Sequence, residues 1–169
     1  EAGITTGSFY RHFASKEDIF ASFVQPAVDE IGKLFIDSES KCRDAVQAGD
    51  IRSLWKVVNV DDILDCIYRN FDRLKLLLRC ADGTKYNSFL NDVVSMEADI
   101  SLRSLRAAKD IGYLHAELPS DMEMHMICHA YISSVFEAVL HDLSRDVMEK
   151  YIHTIVKFFT TGAYEVLGL

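Results

Sequence analysis

The chain has 169 residues, of which 49% are hydrophobic and 26% are charged, and its formal net charge is −8 at pH 7. This length and composition suit one folded domain with a sizeable core. The negative charge excludes a protein that coats nucleic acid through general basicity, so any nucleic-acid contact must be local. No apolar run reaches the ~20 residues that a membrane-spanning helix needs. The four cysteines are scattered without a C-x-x-C pair, as in a reducing cytosol. We therefore expect a cytoplasmic protein without a membrane partner.

A polar segment near the start, GITTGSFYRHFASKEDIF, begins with a short helix that we predict over residues 5–13. Phe9 and Phe13, four residues apart, mark its inward side. Gly7 costs a helix about 1 kcal/mol relative to Ala, a loss that makes sense if another backbone or a phosphate must come close. Arg11 faces away from the two Phe side chains and can donate hydrogen bonds to phosphates or base edges. The alternative is an ordinary capped surface helix whose polar residues face water.

Apolar residues recur at helical spacing through the rest of the chain. The pattern predicts a long helix over residues 16–38, with Pro26 in its middle, followed by weaker helical segments that break at Gly49. Strand-like alternation of useful length is absent from the sequence, so we expect an all-α fold. Four further helices are predicted over residues 61–80, 86–109, 120–141 and 144–168.

The last two predicted helices, 120–141 and 144–168, carry wider apolar arcs than the others. Arcs this wide exceed what one neighbouring helix would cover. Either the pair lies deep in the core, or it packs against its own copy across a two-fold axis as a four-helix interface. We favour the second arrangement, a homodimer.

The segment AGITTGSFYRHFASKEDIF resembles the end of the DNA-binding domain of TetR-family transcription regulators. The family pattern is close to A-G-[VI]-[ST]-x-G-[ST]-[LF]-Y-x-[HY]-F-x-[SN]-K-[ED]-x-[LI]-[LIF]. One departure is Thr6, because relatives often have Lys there, so a basic contact is missing. The matching residues are Ala2, Gly3, Thr5, Gly7, Ser8, Phe9, Tyr10, His12, Phe13, Ser15, Lys16, Glu17 and Phe20.

The resemblance implies that residues 5–12 form the recognition helix of a helix-turn-helix, which lies in the major groove of double-stranded DNA. Gly7 would permit the close approach. The residues expected to contact phosphates are Thr5, Tyr10, His12 and Lys16. The residues expected to reach bases are Thr6, Ser8 and Arg11.

The resemblance also implies the domain plan: residues 1–15 are the remnant of a helix-turn-helix DNA-binding domain, and residues 16–169 form an all-helical ligand-binding and dimerisation body. The family's first two helices would precede residue 1, so we expect residues 1–169 alone to bind no operator. In this plan the protein is a ligand-responsive regulator, a repressor that a small molecule releases from a palindromic operator. The dimer would place two recognition helices ~34 Å apart.

The implied effector is apolar or aromatic, and no cofactor is expected. Large side chains in the body are candidates for its pocket, although core packing explains each of them as well. These candidates are Trp55, Tyr68, Phe71, Tyr86, Phe89, Met96 and Tyr131. A second set, Asp121, His125 and His129, shares one helix face and could hold a metal, but a helix surface or a dimer seam explains it better.

Two other classes of function compete with a regulator. An enzyme is disfavoured, because the sequence contains no H-E-x-x-H, G-x-S-x-G or phosphate-loop motif. A helical adaptor would use the opening helix for protein contact, and a small-molecule-binding protein without catalysis is a further alternative. Salt-dependent binding to DNA separates a regulator from an adaptor.

Overall fold

The computed structural model describes residues 13, 15–50, 53–54 and 59–168. The predicted opening helix, apart from Phe13, and the pocket candidate Trp55 lie outside these residues. The described part of the chain is helical and contains no strand, which confirms the expected all-α fold. Its helices are α1 (Lys16–Gln47), α2 (Val60–Arg69), α3 (Phe71–Cys80), α4 (Phe89–Asp110), α5 (Asp121–Leu140) and α6 (Arg145–Leu167).

Helix α1 is longer than the sequence pattern predicted. It begins after Ser15, whose side-chain oxygen accepts a hydrogen bond from the N–H of Asp18 at 3.1 Å. The predicted end at residue 38 is wrong, because Cys42 and Val46 continue the buried stripe to the end of the helix. The predicted break at Gly49 is confirmed, since this residue has a φ of +71°, a conformation that glycine adopts without strain.

The predicted single helix over residues 61–80 is wrong, because the chain turns at Asn70 between α2 and α3. Asn70 is 3% exposed, with φ −117° and ψ 19°. Its side-chain amide donates to Glu30 Oε2 at 2.6 Å and to the carbonyl oxygen of Cys66 at 3.0 Å. A bond from a side chain back to the preceding turn competes with continued helix. The apolar stripe runs through both helices and hides the corner.

The last three helices begin and end within a few residues of their predicted limits. A capping box opens α5: Ser120 Oγ accepts from the N–H of Glu123, and Glu123 Oε2 accepts from the N–H of Ser120 at 2.8 Å. Left-handed glycines follow α4 and α6, with φ +78° at Gly112 and +66° at Gly168.

The core forms along the packed pair α4 and α5. Helix α1 packs on α3 and α4, and α6 packs on α2 and α5. Within the described part of the chain, no helix has the length and apolarity that crossing a membrane would require. Side chains that are almost completely buried hold the elements together, among them Val24, Leu64, Leu74, Leu105, Met148 and Ile152.

Candidate effector cavity and DNA-binding segment

A cavity of about 1010 Å³ lies between α1, α4, α5 and α6. Apolar side chains form most of its wall, among them Leu105, Met124, Val156 and Phe159. A cavity of this size and lining is large enough to enclose a drug-sized organic molecule. The body therefore contains the kind of internal space that a small-molecule effector requires.

Glu97 of α4 is the acidic residue among the described residues that line this cavity. Ser101 Oγ, one turn further along α4, donates a hydrogen bond to Glu97 Oε1 at 3.4 Å. Among the described residues, no Lys, Arg or His forms an ion pair with Glu97. Because the carboxyl is withdrawn from bulk water, desolvation raises the pKa of Glu97 above its ordinary value. An acid of this kind needs a partner that can donate hydrogen bonds.

Two thiols and a phenol lie close enough to Glu97 to feel its charge. Burial is the main cause that raises the pKa of Cys128 to about 12, and the Glu97 carboxylate adds to it. The same two causes raise the pKa of Tyr131, and burial followed by Glu97 raises the pKa of Cys42. All three side chains therefore stay neutral near pH 7, and Glu97 is the carboxyl group of this wall.

The mouth of the cavity lies on the surface shared by α5 and α6. Ile127, Phe158 and Val166 line the cavity, yet they are 46%, 72% and 68% exposed. Met122 and Met126 of α5 are exposed as well. An apolar surface thus surrounds the opening, on the helices that the sequence pattern assigned to a homodimer.

Of the predicted pocket residues that the structure describes, Tyr131 is the one that lines the cavity. Its ring packs edge-on against Phe159, with 5.3 Å between the ring centroids. Glu97 escaped the sequence prediction, although a signal was present. At 100° per residue it falls in the middle of the buried face of α4, between Val93 and Ile100. A charged residue at the centre of an apolar stripe indicates a polar site rather than a solvated surface.

The other described pocket candidates lie away from the cavity wall. Tyr68 stacks on Phe71 at 5.4 Å, and its hydroxyl donates to the carbonyl oxygen of Leu143 at 2.7 Å. Tyr86 is buried, and its hydroxyl donates to Gln25 Oε1 at 2.5 Å. These contacts join helices to one another.

Phe89 and Met96 complete the set of pocket candidates. Phe89 is buried against Phe136, with 5.8 Å between the ring centroids. Met96 is 37% exposed and also lies outside the cavity wall. Core packing accounts for the burial of Phe89.

The candidate metal ligands on α5 are engaged with other side chains. Asp121 forms an ion pair with Arg106, and His129 Nδ1 lies 3.4 Å from Ser133 Oγ. The described residues contain no group of three or more His, Cys, Asp or Glu side chains that could hold a metal ion.

The candidate DNA-binding residues divide into two groups. Thr5, Thr6, Gly7, Ser8, Tyr10, Arg11 and His12 lie outside the described residues. Lys16 is the first residue of α1 and is exposed. It follows the Ser15 cap and belongs to the first helical turn, whose free N–H groups favour an anion.

Comparison with known proteins gives two similarities. Residues 1–23 match the model for bacterial regulatory proteins of the tetR family. The whole chain is 27% identical, over 180 aligned positions, to an uncharacterized HTH-type transcriptional regulator, YdgC, of Bacillus subtilis (strain 168), and the alignment covers 75% of that relative. The start of the chain is therefore similar to the tetR family, and the chain as a whole is similar to an HTH-type transcriptional regulator. No solved structure matches it.

The segment that matches the tetR family ends inside α1. The matched residues run to Phe23, whereas α1 runs from Lys16 to Gln47. Ser38 and Cys42, in the second half of the same helix, line the cavity. One continuous helix therefore belongs both to the segment that matches the family and to the cavity wall.

Proposed function

We propose that this regulator is a repressor, which a small molecule releases from a palindromic operator. Residues 1–15 would belong to the DNA-binding domain, and residues 16–169 would form the ligand-binding and dimerisation body. The observation that carries the proposal is the course of α1 from the family-matched segment into the wall of a cavity of about 1010 Å³.

Helix α1 supplies the physical link between effector and DNA. A ligand that fits the cavity better in one position of α1 than in another shifts the population by its differential affinity. On α1, the ligand would contact Ser38 and Cys42, which line the cavity. Displacement of this part of the helix would move Lys16, at the other end, relative to the phosphates that it is expected to bind.

In the proposed complex the recognition helix of residues 5–12 enters the major groove. Thr5, Tyr10, His12 and Lys16 contact phosphates, and the remaining polar residues of the segment reach the bases. Each protomer supplies one such helix, and a two-fold axis places the pair ~34 Å apart on the two half-sites.

The homodimer would form through α5 and α6. Exposed apolar side chains on these helices, including Met122, Met126, Val147 and Phe158, support an interface there, because large exposed apolar patches mark interaction sites. Such a dimer would also cover the mouth of the cavity. Sedimentation equilibrium tests this arrangement: Phe158→Glu should yield monomers, whereas Ile36→Glu, an exposed control on α1, should leave the dimer intact.

Selection of bound duplexes by the full-length protein tests the function. We expect recovery of a palindromic sequence and an affinity that falls steeply as salt rises. A dimer that prefers no duplex at any salt concentration would instead support a helical adaptor.

Pro26 offers a test of α1 as the link. It lies inside α1, where proline removes a backbone hydrogen bond and gives the helix a bending point. Pro26→Ala should change the effector concentration that releases DNA by several-fold, with a smaller change in operator affinity. Equal changes in both quantities, measured by fluorescence anisotropy, would count against a hinge at this position.

A further inference from the structure

The cavity wall combines a large apolar surface with one isolated acid. Glu97 lies on the buried face of α4 and lines the cavity together with Tyr131 and Phe159. Its only hydrogen bond to a side chain among the described residues comes from Ser101 at 3.4 Å, and this bond is long. Glu97 is partly buried, and carboxylates that are withdrawn from water are ordinarily paired. This one forms no ion pair with a described residue.

Other charged groups on the wall do not supply that partner. Lys157 and His153 of α6 line the cavity, but both are exposed, and neither forms an ion pair with Glu97. The remaining polar neighbours are neutral: Cys42 and Cys128 are buried thiols. The carboxylate can therefore receive a donor from a molecule inside the cavity without first breaking an ion pair.

An aromatic wall stands beside this acid. Tyr131 lies near enough to Glu97 for the carboxylate to affect its ionisation, and its ring packs against Phe159. An aromatic face next to a carboxylate is a favourable environment for an organic ammonium group, which gains both a charge-assisted hydrogen bond and a cation–π contact. The surrounding Leu105, Met124 and Val156 would bury an apolar body attached to that group.

We propose that the effector is an organic amine with a large apolar or aromatic body, and that Glu97 receives its protonated nitrogen inside the cavity. This inference rests on the proposed effector role of the cavity and specifies the chemical class of its ligand. The apolar walls contribute affinity for many compounds, whereas Glu97 selects among them by charge.

Three compounds that share one apolar body and differ in their polar end group test whether Glu97 selects ligands by charge. They are 4-(naphthalen-1-yl)butan-1-amine, the corresponding alcohol and the corresponding butanoate, titrated into the protein by isothermal calorimetry. We expect the amine to bind about 10- to 100-fold more tightly than the alcohol, as a hydrogen bond to a buried charge implies. The butanoate should bind most weakly, because its carboxylate would meet Glu97.

Substitutions on α4 test whether the Glu97 side chain causes the preference for the amine over the alcohol. Glu97→Gln should lower amine affinity to the level of the alcohol and leave the alcohol affinity unchanged. Glu97→Asp keeps the charge and should retain part of the preference. Asp99→Asn removes an exposed carboxylate from the same helix and should change nothing. Thermal melts of each variant, followed by circular dichroism, establish that it is folded.

The outcomes separate this inference from the proposed function. If the alcohol or the butanoate bound at least as tightly as the amine, or if Glu97→Gln kept the amine preference, the inference would be overturned while the cavity remained an effector site. If none of the three probes bound, the cavity would be refuted as an effector site, and the inference would fail with it.

Discussion

The two halves of α1 pack in different ways. In the first half, polar contacts tie the helix to its neighbours: Gln25 accepts from Tyr86, the carbonyl oxygen of Phe23 accepts from Arg73 Nε at 3.0 Å, and Glu30 accepts from Asn70. In the second half, Ser38 and Cys42 border a large cavity. The first half is therefore tied to α2, α3 and the segment before α4 by several polar contacts. The second half is tied to α4 by the ion pair between Glu39 and Arg103, and it borders open space that a ligand could fill.

The largest effect is expected from truncating leucines in the two regions. Leu74 of α3 is completely buried at the packed end, and Leu105 of α4 is 1% exposed but borders the cavity. Leu74→Ala should lower the free energy of unfolding by about 3–5 kcal/mol, and Leu105→Ala by about 2–3 kcal/mol, because the neighbouring cavity gives the side chains around Leu105 room to relax. Urea denaturation measures both values. Equal losses would indicate that the two ends are packed alike.

The corner at Asn70 is the next strongest test. Asn70→Ala removes the buried amide that joins α1 to the turn between α2 and α3, and it should cost about 1–3 kcal/mol. Asn91→Ala, at an exposed position of α4, serves as the control and should change the unfolding free energy by less than about 0.5 kcal/mol. A loss at Asn70 no larger than that at Asn91 would show that the polar tie does not hold the first half of α1.

At the cavity end, Glu97→Gln should increase stability in a pH-dependent way. The pKa of Glu97 is raised in the folded state, so the unfolded chain releases this proton at lower pH than the folded chain. Folded stability therefore falls as the pH rises from the ordinary glutamate pKa towards the raised value. The Glu97→Gln variant has no carboxyl at this position and avoids this loss. Its free energy of unfolding should equal that of the unsubstituted protein at about pH 4 and exceed it by on the order of 1 kcal/mol at about pH 8.

Urea denaturation at both pH values measures the effect of the Glu97 substitution, and Asp99→Asn again provides an exposed control. A stability difference that is the same at both pH values would mean that solvent, rather than the apolar wall, surrounds the Glu97 carboxyl.

The smallest effect concerns the helices that meet at the cavity mouth. Ser120 caps α5 through a reciprocal bond with Glu123, whereas Ser144 precedes α6 without a side-chain capping bond. Ser120→Ala should lower the unfolding free energy by about 1 kcal/mol, and Ser144→Ala by clearly less. Thermal unfolding followed by circular dichroism compares the pair, and similar losses would contradict the assigned caps.

Much of the fold could be predicted from local sequence signals. Helices α4, α5 and α6 have long apolar stripes, and capping residues or glycines mark several of their ends. The corner at Asn70 could not be predicted in this way, because its cause is a hydrogen bond to Glu30, forty positions earlier in the chain. The true end of α1 was missed because Cys42 and Val46 are small residues in a polar stretch and give a weak pattern.

The candidate site was harder to predict than the fold. Large aromatic residues suggest a pocket, but Tyr68, Tyr86 and Phe89 pack between helices. A cavity depends on how whole helices are spaced, and a residue's size does not report that spacing. Tyr131 lines the cavity, and so does Glu97, whose place in the apolar stripe of α4 was visible in the sequence. The segment that matches the tetR family, by contrast, is recognised from the sequence order of its residues alone.

Release of DNA by a ligand in the cavity is the central claim, and fluorescence anisotropy tests it most directly. The full-length protein is bound to its selected, labelled operator and titrated with 4-(naphthalen-1-yl)butan-1-amine. The account predicts that anisotropy falls to the value of free DNA over the same concentration range in which calorimetry detects amine binding. An operator complex that persists when the cavity is saturated with the amine would contradict it.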